Sequence, residues 1–132
     1  MAYQVLIADN NSMFSLGVES VLKRILNDYV AHKANDGLEA QRILDEGSID
    51  LVVINLYLPK KNDLQVFEES REKSPQTRFV VYNSQRGPND PDLDLHYIRM
   101  ITKYGLTPLH ADSSTEAFEK AIRTCIEESK GK

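Results

Sequence analysis

A single cysteine, Cys125, rules out an internal disulfide and a cysteine-based zinc site. Basic residues are in the minority, 16 Lys and Arg against 20 Asp and Glu, leaving a net charge of −4. A free-standing nucleic-acid binder carries a basic face, so direct contact with nucleic acid is set aside. No apolar run approaches the ~18 residues that span a bilayer, so no membrane contact is expected. The opening residues Met1-Ala2-Tyr3-Gln4 lack a basic region and lead straight into an apolar strand, which does not read as a secretory signal. There is no Gly-rich phosphate loop. His32 and His96 show no metal-ligand spacing, and Asp90, Asp92 and Asp94 lack the glycine and distal glutamate of a calcium loop. The expectation is a cytoplasmic protein with no metal and no cofactor.

What is present is globular. Hydrophobic residues make up 41% and charged residues 27% of 132. That length predicts a single domain over 1–132, large enough to bury a core unaided. Short β-branched runs alternate with helical patterns. Strands are predicted over Gln4–Ala8, Tyr29–Ala34, Leu51–Asn55, Arg78–Asn83 and Thr107–His110. Leu51-Val52-Val53-Ile54 and Phe79-Val80-Val81-Tyr82 are apolar at every position, the pattern of parallel strands covered on both faces.

Between the strands lie helical segments. Ser12 to Leu26 places Phe14, Val18, Val21, Leu22 and Ile25 on one stripe, capped by Ser12 or Asn11. A second helix, 37–45, turns Leu38, Ile43 and Leu44 inward. A third spans about 62–73 and stops before Ser74-Pro75. After a loop over Gly87–Pro91, a fourth spans about 93–104. The last starts at Ser113 or Ser114 and gathers Ala117, Phe118, Ala121, Ile122, Cys125 and Ile126 on one side. Five strands and five helices in strict alternation imply an α/β fold with a doubly wound, five-stranded parallel sheet.

The segments Val5-Leu6-Ile7-Ala8-Asp9-Asn10-Asn11, Asp36-Gly37-Leu38-Glu39-Ala40, Asp50 to Pro59, Ser74 to Val81 and Asp112 to Glu116 together carry a resemblance. The chain resembles the receiver domain of bacterial response regulators, the CheY-like (βα)5 flavodoxin-like fold. It is most similar in type to LuxR/NarL receivers, which normally carry a helix-turn-helix domain after the last helix. The resemblance implies a place in two-component, phosphorelay-type signalling or transcription control. It also implies a phosphorylation pocket at the carboxyl ends of the strands.

Such a pocket uses an Asp nucleophile at the end of the third strand and an acidic pair after the first to hold Mg²⁺. A Ser/Thr after the fourth strand and a Lys after the fifth bind the phosphoryl oxygens. Carried over by position, the acidic pair is Asp9-Asn10 and the nucleophile position is Asn55. The hydroxyl position is Asn83, with Ser84 following, and the Lys position is Ala111, or His110 if the alignment slips by one. The aromatic three places before that Lys maps to Pro108, and the turn after the third strand reads Lys60-Lys61-Asn62-Asp63 without its glycine.

A carboxamide is not a competent nucleophile toward phosphorus. The expectation is a degenerate pseudo-receiver, not an enzyme, that works as a protein-protein interaction module. Its surface would be the face of the fourth helix, fifth strand and fifth helix. Tyr97, Met100 and Tyr104 are the candidate partner-binding residues, and a homodimer is one partner to consider. Two other readings stand beside it: phosphorylation at a non-standard carboxylate, and small-molecule sensing in the emptied pocket. Asp9 itself reads either as a structural carboxylate, bonded to a loop amide or to Lys60 or Lys61, or as a vestigial metal ligand.

Overall fold

The computed structural model describes residues 2–9, 12–55, 66, 68–70, 73, 76–83, 99, 102–103, 109–110 and 114–130. Its elements are β1 (Tyr3–Ala8), α1 (Ser12–Ile25), β2 (Tyr29–Ala34), α2 (Gly37–Glu46), β3 (Leu51–Asn55), β4 (Arg78–Asn83), β5 (Leu109–His110) and α3 (Thr115–Lys130). Residues 66, 68–70 and 73, and 99 and 102–103, are helical where the third and fourth helices are expected.

The sheet runs in the order β2-β1-β3-β4-β5, and each neighbouring pair is parallel. The sequence places β2 through β4 to the residue; β5 is a two-residue pairing, Tyr82 with Leu109 and Asn83 with His110. Thr107 and Pro108, the rest of that predicted strand, lie outside the described residues. Strand order reverses direction at β1 and β3, where a parallel α/β sheet leaves a crevice at its carboxyl edge.

Alternation along the strands sorts the core into two clusters. Val5, Ile7, Leu51, Val53, Val80 and Tyr82 face α1 and α3, meeting Val18, Leu22, Phe118 and Ile122. Leu6, Ala8, Val52, Ile54, Phe79 and Val81 face the other way, onto Ala40, Ile49 and Val66. β3 is buried at all five positions because helices cover both of its faces.

Ser114 caps α3: its Oγ accepts the Ala117 backbone N–H at 3.1 Å. All six residues expected on the inner side of α3 lie in or against the first cluster. Arg24 of α1 donates to Glu119 of α3 at 3.0 Å. That bond holds the Glu119 carboxyl below its ordinary value, with burial opposing and Arg123 adding to the effect.

In α2 one expectation is corrected. Leu38 does not face in; it is 56% exposed. Asp36 caps the helix, its Oδ1 accepting the Glu39 N–H at 2.8 Å, and this fixes the phase. Gly37, Ala40 and Gln41 then form the buried stripe, and Ile43 and Leu44 pack at its margin. Asp36→Ala should cost about 1 kcal/mol in urea unfolding, with the loss of protection confined to the first turn of α2 in hydrogen exchange.

Cys125 is a packing residue, half-buried against the first cluster with Sγ 3.9 Å from the Phe79 carbonyl. Burial pushes its thiol from 9.0 up to about 11, with the Glu128 charge adding to the rise. The folded state therefore holds this proton through that window, so its contribution is complete below 9.0 and is lost as pH rises toward about 11. Alkylation at neutral pH should run roughly a hundredfold slower in the native protein than in urea.

Candidate functional site

At the carboxyl edge of the sheet, three side chains meet on the α1/α3 side. Ala8 is in register with Ile54, which brings Asp9 beside Asn55, and Asn55 is in register with Tyr82. The alternation that puts Ile7, Val53 and Val80 on this face puts Asp9, Asn55 and Tyr82 there too. Asp9 and Asn55 are each 3% exposed, and Tyr82 is fully buried.

The polar groups answer one another. Asn55 Nδ2 donates to Asp9 Oδ1 at 3.5 Å. The Tyr82 hydroxyl donates to Asp9 Oδ2. The Asp9 backbone N–H donates to the Ala34 carbonyl at 3.0 Å, which fixes where the carboxylate leaves the strand. A buried carboxylate needs such donors, because its solvation in water has been removed.

Tyr82 also anchors an aromatic cluster. Phe14 of α1 stacks on its ring, with centroids 4.3 Å apart and planes at 20°. Phe118 of α3 meets both edge-on, 5.3 Å from Phe14 and 5.7 Å from Tyr82. The described part of the site is thus filled by rings. Among the described residues, the Tyr82 phenol lies beside the carboxylate.

Of the residues selected from sequence, Asp9 and Asn55 come together. Asn83 ends β4 and pairs with His110 through the backbone, while its side chain lies outside the described atoms. Asn10, Ala111, Tyr97, Met100 and Tyr104 lie outside the described residues, as do Lys60, Lys61 and Pro108. Two of the donors to Asp9 are side chains from other strands, Asn55 of β3 and Tyr82 of β4. His32 is tied to Gln4, Nε2 to Oε1 at 2.8 Å. Tyr82 is the member of this cluster that the sequence does not single out. Its apolar run reads as core, and the signal available is its phenol: a hydroxyl on a buried strand must find a partner.

The described donors do not fit Mg²⁺, which favours carboxylate oxygens and retained waters. Among the described residues the site offers one carboxylate, each of its oxygens already accepts a hydrogen bond, and Asn55 presents its nitrogen. Among the described residues no group of three or more His, Cys, Asp or Glu could hold a metal ion. No helix among them is long and apolar enough to cross a membrane.

Comparison with known proteins identifies the family and the fold. The response regulator receiver domain family matches residues 5–103, and the chain belongs to that family. It is therefore a receiver domain of two-component signalling. Among its relatives, the chemotaxis protein CheY of Listeria monocytogenes is 29% identical over 124 residues, covering 91% of this chain and 98% of that protein. The probable C4-dicarboxylate response regulator DctR of Bacillus subtilis is 22% identical, over 89% of this chain and 51% of its own length. The nitrate/nitrite response regulator NarL of Escherichia coli is 26% identical, over 65% of this chain and 40% of its own length. The chain thus spans about half the length or less of several regulators it matches. In fold, it is similar to the receiver of an HD domain-containing protein from Pseudomonas fluorescens. There the TM-score is 0.78 at 17% identity, with both chains covered in full. A two-component transcriptional regulator from Clostridium phytofermentans gives 0.81 at 13% identity, covering 98% of this chain and 97% of that one.

Proposed function

We propose that this receiver works without phosphorylation, as a protein-interaction module in a signalling or transcription-control pathway rather than as an enzyme. One observation carries the reading: the side chain at the end of β3, where the family places its nucleophile, is an amide engaged with Asp9. Forming an acyl phosphate requires a carboxylate oxygen to attack phosphorus. The Asn55 amide has no such charged oxygen, and Asp9, the carboxylate beside it, accepts donors on both oxygens. The replacement of the Ser/Thr by Asn83 and of the Lys by Ala111 supports the same reading.

Output then depends on a surface that is always presented. The face made by residues 93–104, β5 and α3 is the one proposed to take a protein partner, with Tyr97, Met100 and Tyr104 as anchors. Incubating the full chain with acetyl phosphate and Mg²⁺, followed by intact-mass measurement, should give no phosphoryl adduct. An adduct on any carboxylate at physiological donor concentration would overturn the proposal. Calorimetric titration should show Mg²⁺ binding no tighter than about millimolar.

A further inference from the structure

We propose that Tyr82 is a positioning residue whose hydroxyl ties the packing of α1 against α3 to the Asp9 carboxylate.

Four observations converge. The hydroxyl donates to Asp9 Oδ2, while Asn55 donates to Oδ1, so each oxygen of a buried carboxylate accepts from a neutral donor of β3 or β4. The phenol is fully buried, so water does not compete for that bond. The same ring stacks on Phe14, in the first turn of α1, at 4.3 Å. It also meets Phe118, in the first turn of α3, at 5.7 Å. One side chain therefore has its polar end on the sheet edge and its faces against the starts of two helices. Turning the ring away from Asp9 would disturb both helix contacts, and parting the helices would loosen the bond. Coupling of this kind needs a packed element shared by both places, and Tyr82 is that element.

The test is a double-mutant cycle in the full chain: wild type, Tyr82→Phe, Asp9→Ala and the double variant, each followed by urea unfolding. Tyr82→Phe keeps the ring and removes only the hydroxyl. If the bond acts as described, the double variant's loss in folding constant is smaller than the product of the single losses by fivefold or more. Hydrogen exchange on Tyr82→Phe supplies the second readout, which stands even if Asp9→Ala does not fold. Amides in the early turns of α1 and α3 should exchange several-fold faster than in the wild type, with β2 and α2 unchanged under native conditions. Single losses that multiply within twofold, or exchange that rises equally in all elements, would overturn the inference. A phosphoryl adduct on the wild type would sink the earlier proposal and leave this cycle unaffected.

Discussion

Asn55→Asp, the substitution that restores the family's nucleophile, is expected to destabilise the domain by about 3 kcal/mol at neutral pH. The new carboxylate would lie where Asn55 Nδ2 now stands 3.5 Å from Asp9 Oδ1, in a site 3% exposed on both sides. Two unit charges at that separation repel by about 5 kcal/mol at an effective dielectric constant near 20. The pair can escape by keeping one proton. Holding a carboxyl protonated at pH 7 against an ordinary value near 3.9 costs about 4 kcal/mol, which sets the ceiling. The sign follows. The folded variant binds a proton that the unfolded chain releases above about pH 4, so its stability falls as pH rises and recovers on acidification. Urea unfolding at neutral and mildly acid pH reads this directly, and added Mg²⁺ should restore part of the loss. Asn55→Ala, which leaves the Asp9 charge alone, should cost only about 1–2 kcal/mol. An Asn55→Asp protein as stable as the parent at both pH values would show that the two side chains do not share one buried site.

Phe118→Ala should cost about 4 kcal/mol. The ring is buried, and it meets Phe14 and Tyr82 edge-on at 5.3 and 5.7 Å. Each such aromatic pair adds about 1 kcal/mol to simple area burial. Truncation also leaves a gap at the meeting of α1, α3 and the sheet, where three elements would have to move together to close it. Thermal unfolding should drop by roughly 12 °C. Phe118→Leu should recover more than half of the loss because it keeps most of the apolar volume. Glu116→Ala, exposed on the same helix, should shift stability by less than about 0.5 kcal/mol. A Phe118→Ala protein unfolding within a degree or two of the parent would mean the ring trio contributes little.

The parallel sheet is legible in the sequence because its signal is local. Four apolar residues in succession, Leu51 to Ile54, have no stable arrangement except between two covering layers, and the structure provides them. The inner stripes of α1 and α3 are legible for the same reason. Leu38 misleads because an apolar residue in a first turn says nothing about phase; the Asp36 cap sets the phase. Asp9 and Asn55 are found through position in a family pattern. Their hydrogen bond depends on the register of β1 against β3, 46 residues apart in sequence. Tyr82 is harder still. Within its strand it is one more apolar neighbour of Val80 and Val81, and its role appears only when β4 is laid beside β3 and the phenol reaches across to β1.

The two-cluster core has a consequence for synthesis on the ribosome. The layer of α2 against Leu6, Ala8, Val52 and Ile54 can begin to assemble once β3 has emerged. The opposite layer has no such early completion. Val53, Val80 and Leu109 gain their cover from Phe118, Ala121, Ile122 and Ile126, which emerge afterwards. A nascent chain arrested shortly before α3 therefore displays one greasy flank of a half-built sheet, a surface that chaperones bind and proteases reach. Commitment to the native state is postponed to the final helix.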